Sequence, residues 1–148
     1  MKQSGVIGEK ELMRRLNSLG SQGKRNKIVR PAINEAASKI NKKAKALVIE
    51  ETGLLRKSIG VKRATKRGVV FAVVGPRHGF KREVERTLPS GDRASVLANP
   101  TKYAHLVEFG TRHSPPHPFL RPAHDGTPSE SIIRRRMTKE LRRQAVKK

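Results

Sequence analysis

Two short segments in the second half of the chain carry the strongest local signals. Residues 99–111 read NPTKYAHLVEFGT, and residues 118–123 read PFLRPA. Asn99 is a good helix N-cap with proline at the next position, and Gly110 falls where a glycine in the left-handed conformation commonly follows a helix. The first segment therefore predicts a helix that ends near Gly110. The prolines of the second predict a stiff, irregular path that anchors Phe119 in a core.

Upstream of these segments, the sequence predicts a long amphipathic helix over about residues 22–51. Apolar side chains recur at steps of three and four from Val29 to Leu47, and lysines take the other faces. Pro31 is tolerated in a first turn and kinks a helix interior, so the regular part is expected to start near Arg30. The apolar stripe favours packing on a sheet of the same chain over packing against a neighbouring subunit.

Between the two helices the apolar period changes to two. Residues 59–75 predict a β-hairpin with a turn at Lys66-Arg67-Gly68, whereas residues 77–98 show no clear period and predict a long loop or insertion. Residues 128–147 predict a basic helix. The whole is predicted to be one α+β domain over residues 1–148. In it a small, mainly antiparallel β-sheet packs against the long N-terminal helix and the basic C-terminal helix.

Composition narrows the class of protein. The chain has 148 residues, with 34 lysines and arginines against 12 acids, a formal net charge of +22. Such a charge indicates a polyanion or an acidic partner surface. The chain has no cysteine, which excludes disulfide frameworks, cysteine-based zinc sites and thiol nucleophiles. The longest apolar run, residues 69–74, is too short to span a membrane, and no secretory signal is expected.

Few residues could carry catalysis or hold a metal. His113 and His117 are four apart, and Glu108, His124 and Asp125 could add ligands, but the intervening prolines break any helix that would align the two histidines. The sequence contains no Walker loop, no dinucleotide glycine fingerprint and no recognisable catalytic triad. We therefore expect no enzymatic activity, no metal and no cofactor. A histidine-dependent nuclease is the enzymatic alternative, and it would require metal-dependent cleavage.

Glu108 is chemically unusual, because it is an acid inside an apolar segment of a protein that has few acids. Two interpretations stay open at this point. It could form a local salt bridge, for instance with Lys102 or Arg112, or it could pair with an arginine such as Arg121 of a neighbouring subunit.

The segment YAHLVEFGT at 103–111, followed by PFLRPA at 118–123, resembles the tail-component family of long-tailed bacteriophages. This is the "gene product ten"-like neck or tail-completion family. The upstream segment TGLLRKSI at 52–59 and the strand at 69–75 are also similar to that family, in the same order. The resemblance covers about residues 8–145, although the long N-terminal helix is unspecific and residues 77–98 depart from the compact members.

The resemblance implies a structural virion protein of the head-to-tail interface, made in the host cytoplasm. Such a protein forms a homo-oligomeric ring that completes the tail and joins it to the capsid connector around the DNA channel. Its implied partners are further copies of itself, the connector or stopper, the tail terminator or tube protein, and the channel DNA without sequence preference.

The resemblance also names residues, none of them catalytic. It puts Glu108, Phe109, Gly110 and Thr111, with Phe119 and Pro122, at the centre of the fold. The residues of this sequence that match the family pattern, and that are expected to serve folding and assembly, are Thr52, Gly53, Leu55, Ser58, Tyr103, Val107, Glu108, Phe109, Gly110, Thr111, Pro118, Phe119, Arg121 and Pro122.

The C-terminal helix holds the densest run of positive charge. The side chains expected to contact DNA or an acidic partner are Arg134, Arg135, Arg136, Arg142 and Arg143. The alternative to a tail protein is a general nucleic-acid-binding protein of ribosomal or nucleoid type, which the net charge favours. The scarcity of aromatic side chains for base stacking argues against it.

Overall fold

The computed structural model describes residues 9–18, 20–49 and 52–145. The described residues form six helices and four strands. They are α1 (Glu9–Ser18), α2 (Gln22–Leu47), α3 (Leu54–Ser58), β1 (Ile59–Lys66), β2 (Val69–Pro76), β3 (Arg82–Thr87), β4 (Arg93–Ala98), α4 (Pro100–Phe109), α5 (Leu120–Asp125) and α6 (Ser129–Ala145). Strand β1 pairs with β2 and β3 with β4, which makes two small antiparallel sheets. The predicted α+β class is confirmed.

The chain groups into two compact units whose segments alternate along the sequence. The first unit draws on the described residues of Met1–Ala36, Arg63–Ala72 and Pro128–Lys148, and the second on those of Ala37–Lys62 and Val73–Thr127. That the chain forms a single domain stays a prediction. Within the described residues, no helix combines the length and the apolar character that crossing a membrane requires.

The core of the first unit is made by helices. Leu16 of α1, Ile28 and Ala32 of α2 and Met137 of α6 are buried together. In this unit the buried residues of α2 contact α1 and α6, and Gln22 and Arg30 of α2 also donate hydrogen bonds to the β1–β2 hairpin. The stripe therefore packs within its own chain, as the sequence favoured. Each of these helices also has a charged side. Burial of the apolar stripe therefore leaves the charged side chains in contact with water.

Helix α2 starts at Gln22, as predicted, and stays helical through Pro31, so the expectation that its regular part starts near Arg30 is wrong. A proline inside a helix removes one backbone hydrogen bond and crowds the preceding turn. Here Ile28 and Ala32, both completely buried, hold the two sides of that position in the core. Packing of an amphipathic face outweighs local propensity in most protein helices, and it does so here. The helix ends at Leu47, before the predicted end at 51, and residues 50–51 lie outside the described residues.

The second unit contains the candidate site, and its core combines α2, α3, α4 and α5 with the first residue of β1. The fully or nearly buried apolar side chains of this core are Ala44, Val48, Leu55, Ile59, Ala104, Phe119 and Ala123. Phe119 is the largest of them and has no exposed surface. The prediction that Phe119 is anchored in a core is confirmed.

Residues 77–98 are not an irregular loop, because a second β-hairpin occupies residues 82–98. In it β3 pairs with β4 from Arg82 opposite Ala98 to Thr87 opposite Arg93. The strands escaped prediction because neither has a buried face: charged and small side chains replace the apolar alternation that identifies a half-buried strand. The first hairpin agrees with its predicted limits to within one residue. Helix α6 begins one residue later than predicted, and residues 146–147 of the predicted helix lie outside the described residues.

Candidate functional site

The site is built around the carboxylate of Glu108, which binds three consecutive backbone N–H groups. Glu108 Oε2 accepts from the N–H of Phe119 at 2.8 Å and from that of Leu120 at 2.9 Å, and Oε1 accepts from the N–H of Arg121 at 2.9 Å. These N–H groups stand at the start of helix α5, where a helix has no backbone acceptors of its own. The side chain of one helix therefore caps the next and joins the two sequence segments singled out above.

The local sequence explains why a carboxylate lies here. Asn99 caps α4, its side chain accepting from the N–H of Thr101 at 3.2 Å, and Pro100 occupies the first turn, as predicted. Ala104 and Glu108, one turn apart, are both buried on the inner side of α4. A buried acid is costly unless it is paired, and a carboxylate that accepts several backbone N–H bonds is well paired.

The hydrogen bonds decide the ionisation of Glu108. Burial raises the pKa of its carboxyl, but the N–H groups of Leu120, Phe119 and Arg121 and the positive charge of Arg121 lower it by more. The pKa therefore lies below its ordinary value near 4.5. Because the folded-state pKa is below the unfolded-state value, the ionised group stabilises the fold fully above about pH 4.5. That stabilisation is lost as the pH falls through the folded-state pKa.

The local salt bridge suggested for Glu108 by the sequence is not what forms here, and the pairing with an arginine of a neighbouring subunit stays a prediction. The carboxylate binds backbone N–H groups of its own chain, including that of Arg121, in place of a local salt bridge to Lys102 or Arg112. The Arg121 guanidinium lies over the ring of Phe109, 5.9 Å from its centre. The pairing escaped prediction because the partners are main-chain groups 11 to 13 residues away, which side-chain types do not reveal.

The return of the chain from α4 to α5 depends on Gly110. Its φ of 77° is positive, as predicted, but its ψ of 179° lies outside the left-handed helical region and in a region that is essentially open only to glycine. The Gly110 N–H donates to Leu106 O at 2.8 Å and closes the helix. A short bridge between Thr111 and Ser114 follows, and the N–H of His117 then donates to Val107 O at 2.8 Å. These bonds bring the chain back alongside α4, where Glu108 can cap α5.

The predicted residues upstream of the first hairpin lie in the same unit. Gly53 has a φ of 66° and precedes α3, and Thr52 Oγ1 accepts the N–H of the first residue of that helix at 3.5 Å. Leu55 belongs to the core, and the completely buried Ser58 donates its hydroxyl to Leu55 O at 2.7 Å.

Arg77 connects this region to the site and was not predicted. Its backbone N–H donates to Ser58 O at 2.9 Å, and its guanidinium donates to Lys57 O at 3.1 Å, so it binds carbonyls at the end of α3. Its own carbonyl accepts from Thr101 Oγ1 at 3.3 Å in the first turn of α4. An arginine after a Gly-Pro turn has no distinctive sequence pattern, which is why the position was missed.

Two residues that the resemblance placed at the centre of the fold lie at its surface. Phe109 is 66% exposed and Thr111 is also exposed. Phe109 is the last residue of α4 and shares an outer side with His105, one turn earlier, which is exposed as well. Glu108 is buried as expected, because it lies about 100° round the helix axis from Phe109, on the side that faces the core.

The other pattern residues of the second unit have intermediate positions. Tyr103 and Val107 are half-buried and pack on the core. Pro122 is half-buried, whereas Pro118 and Arg121 are exposed. The structure therefore brings the pattern residues into one unit without gathering them into one cavity. Their roles in assembly stay a prediction.

The basic residues of α6 belong to the first unit and already have acidic neighbours. Arg135 and Arg136 reach Glu35 of α2 at 3.3 and 3.9 Å. Arg134 and Arg143 each reach an acid one turn away on α6, both at 3.5 Å. Surface pairs of this kind contribute about 0–1 kcal/mol, and the side chains of Arg135 and Arg143 remain largely exposed. Arg142 lines a shallow groove of about 780 Å³ on the same helix.

Among the described residues, no group of three or more histidine or acidic side chains stands close enough together to hold a metal ion. His124 is paired with Asp125 at 3.0 Å. The remaining suggested ligand, Glu108, has both oxygens bound to backbone N–H groups.

Replacing Glu108 with glutamine is expected to lower the free energy of unfolding by about 1–3 kcal/mol at about pH 7. The amide NH₂ must face a backbone N–H and leaves that buried donor without an acceptor. The deficit should shrink below about pH 4.5, as wild-type Glu108 becomes protonated. Urea titrations at several pH values measure it. Glu130→Gln, at an exposed residue that pairs with Arg134, is the control and should change stability by less than about 0.5 kcal/mol. Equal stability of Glu108→Gln and wild type at neutral pH would contradict the capping role.

Comparison with known proteins identifies the family. The curated proteins and the solved structures give no significant match. One family profile, described as the bacteriophage HK97-gp10 tail component, matches residues 10–110, which is more than half of the chain. The matched part includes Glu108 and Gly110 and ends before the segment that supplies the three N–H groups. The chain belongs to the HK97-gp10-like family of bacteriophage tail components.

Proposed function

We propose that this tail component works at the neck of the virion, where it forms a ring that completes the tail and joins it to the capsid connector around the DNA channel. Membership of the family already makes the chain a structural protein of the phage tail. The proposal adds the position, the ring and the partners: further copies, the connector or stopper on one face, and the tail terminator or tube on the other. It involves no enzymatic step and no cofactor.

The observation that carries the proposal is the uncovered apolar row on β2. Val69 and Phe71, two residues apart on this strand, are exposed, Val69 by 64%. Alternate residues of a strand point to one face, so the two side chains form one row. An exposed apolar row on a protein this rich in charge marks a surface that another protein covers. A ring of identical subunits would provide such a cover at every copy.

The charge supports a position beside DNA. The net charge of +22 would be repeated in every subunit of a ring, and α6 contributes the densest part of it. Positive charge on a channel wall attracts phosphate groups without reading bases, which suits a protein that DNA must pass. The scarcity of aromatic residues, 3% of the chain, fits contact with duplex phosphates better than stacking on single strands.

Depletion of the protein from an infection tests the function. Without it we expect DNA-filled heads and separate tails, counted by negative-stain electron microscopy, and purified protein added to the lysate should restore joined particles. A normal yield of joined, infectious particles without the protein would overturn the proposal. Normal joining with tails that fail only at the host surface would move the protein to the tail tip.

Replacing the five α6 arginines (134, 135, 136, 142 and 143) with glutamine is expected to weaken attachment to DNA or to an acidic partner while the fold survives. The log–log slope of DNA affinity against salt should become shallower by about 0.9 for each phosphate group that the variant no longer binds. The fold should lose at most about 1 kcal/mol for each surface pair removed. The matched control replaces the exposed Lys24, Lys27, Lys42, Lys57 and Lys102, which removes the same charge. An equal loss of binding in both variants would show that only net charge matters.

The isolated chain is expected to be monomeric or weakly associated at low salt. Like charges repel over about 10 Å at 0.1 M salt and over longer distances below it, so closing a ring of +22 subunits needs neutralisation by DNA or an acidic partner. Sedimentation across a salt series, with and without DNA, measures this. A stable closed ring formed by the pure protein at low salt would show that the charge is compensated inside the ring.

The net charge also favours a second function, that of a general nucleic-acid-binding protein. The absorbance of the purified protein, which reveals bound RNA, separates the two functions. RNA that stays bound through a wash of about 1 M salt would favour this alternative, since purely electrostatic phosphate contacts weaken steeply with salt.

A further inference from the structure

The β3–β4 hairpin, which we call the arm, has no role in the contacts described so far. It is a separate two-stranded sheet, and most of its side chains are exposed. An isolated two-stranded hairpin is at best marginally stable in water. A further surface packed on the arm would therefore stabilise it.

One face of the arm is acidic and apolar. Glu83 stands opposite Leu97 and Glu85 opposite Ser95, and residues that are opposite each other share a face of the sheet. Leu97 is 56% exposed. Arg93 lies on the same face next to the turn and is a diagonal neighbour of Glu85, so Glu83 is the carboxylate farther from it. We call the side chains of Glu83, Glu85 and Leu97 the acidic face of the arm.

The two carboxylates of the acidic face are exceptional in this chain. Among the described residues neither has an ion-pair or hydrogen-bond partner, although basic residues greatly outnumber acids. Every other acidic side chain that the structure describes is paired. These are Glu35, Asp92, Glu108, Asp125, Glu130 and Glu140.

The tip of the β1–β2 hairpin has the complementary character. Arg67 and Gly68 form its turn with φ values of 49° and 82°, as a two-residue type I′ turn requires, so Lys66 and Val69 stand opposite each other. Phe71, two residues beyond Val69 on β2, is on the same face and is also exposed. We call Lys66, Arg67, Val69 and Phe71 the basic tip. No acidic residue occurs anywhere between positions 52 and 82.

We propose that the acidic face of the arm binds the basic tip of a second copy of this chain. The carboxylates meet the lysine and arginine, and the leucine covers the exposed valine and phenylalanine. The contact rests on the ring proposed above and says which surfaces would join neighbouring subunits. Complementary charges at an interface select the partner and its register, which a repeating contact needs.

Two other basic or apolar surfaces fit the acidic face less well. Helix α6 has the positive charge, but its described residues include no exposed large apolar side chain for Leu97. Phe109 is an exposed apolar side chain, but the groove beside it also contains the carboxylates of Glu108 and Asp125. The basic tip combines positive charge with exposed apolar surface, and the β1–β2 hairpin that carries it contains no acidic residue.

Disulfide trapping tests the contact, because the chain has no cysteine of its own. Leu97→Cys chains are mixed with chains of different mass that carry Val69→Cys, so that a mixed disulfide can only form between copies. Salt of about 0.5 M screens the long-range repulsion. Matched mixtures use Phe109→Cys, which is equally exposed and apolar, and Arg142→Cys on α6. We expect the mixed disulfide with Val69→Cys to form at least about tenfold faster than with either control.

A charge exchange gives the second measurement. Glu83→Lys with Glu85→Lys, added to the Leu97→Cys chain, should reduce the Val69 disulfide at least about tenfold. Lys66→Glu with Arg67→Asp on the other chain should restore it, since aspartate tolerates the positive φ of that turn. Restoration cannot come from a chain that has lost its fold, so these variants test the contact itself.

The outcomes separate the arm contact from the ring. Preferential Val69 disulfides with restoration by charge exchange support the contact. Equal or faster trapping at Phe109→Cys or Arg142→Cys, or no mixed disulfide at all, overturns it. Sedimentation of the wild-type chain under the same conditions measures its oligomeric state. A wild-type oligomer without the Val69 disulfide would leave the ring standing and the arm contact refuted. A monomer without it would refute the arm contact, and the ring would then be decided by the depletion experiment.

Discussion

Replacing Phe119 with alanine is expected to reduce the free energy of unfolding by about 3–5 kcal/mol, the cost of emptying a fully buried aromatic position. Single domains of ordinary size are stable by about 5–15 kcal/mol, so this loss removes a large share. Phe119 also supplies the first N–H that Glu108 binds, so a shift of its backbone would weaken the cap of α5. Urea unfolding measures the change, and infections with the variant should accumulate tailless heads.

Phe109→Ala is the matched control, because the same substitution is made at a residue of the same unit that is 66% exposed. It removes only a surface ring and its contact with Arg121, so the loss should stay below about 1 kcal/mol. If Phe119→Ala were as stable as Phe109→Ala, the core assigned to the second unit would be wrong.

Replacing Gly110 with valine is expected to be the other large effect. The backbone conformation alone costs any other residue about 1–3 kcal/mol. A Cβ at this position would lie 2.8 Å from Pro116 N and 2.9 Å from Ser114 O, and neither backbone atom can move aside cheaply. Overpacking adds about 1–3 kcal/mol, so the variant should be insoluble or unassembled.

Gly75→Val is the control for this substitution, because Gly75 lies in strand β2, its φ is not positive and nothing lies within 4 Å of an added Cβ. Valine suits a strand, so stability should change by less than about 1 kcal/mol. Thermal melting and particle assembly measure both variants. Gly110→Val with wild-type melting and normal assembly would contradict the role of Gly110 in returning the chain to Glu108.

Local chemistry was enough to predict the elements around the site. Asn99 and Pro100 marked the start of α4 and Gly110 its end, because caps and positive φ depend on the residue itself. The alternating apolar residues of β2 were likewise visible in the sequence. The burial of Phe119 followed from an apolar residue held among prolines.

Features that depend on distant partners could not be predicted in the same way. Glu108 was recognised as unusual, but its partners are backbone groups that every residue has. Pro31 signalled a helix start, whereas burial of its neighbours keeps the helix intact. The arm has no buried face, so its sequence lacks the apolar alternation that predicts a strand. Phe109 was placed at the centre of the fold by the resemblance alone, whereas its side of α4 leaves it 66% exposed.

The central claim, that this tail component forms a ring at the neck, is tested most directly by a cryo-electron microscopy map of the intact virion. The account predicts a closed ring of copies between the capsid connector and the first ring of the tail tube, with α6 beside the DNA channel. Density for the chain at the distal tip of the tail, or a single copy without rotational symmetry, would contradict it.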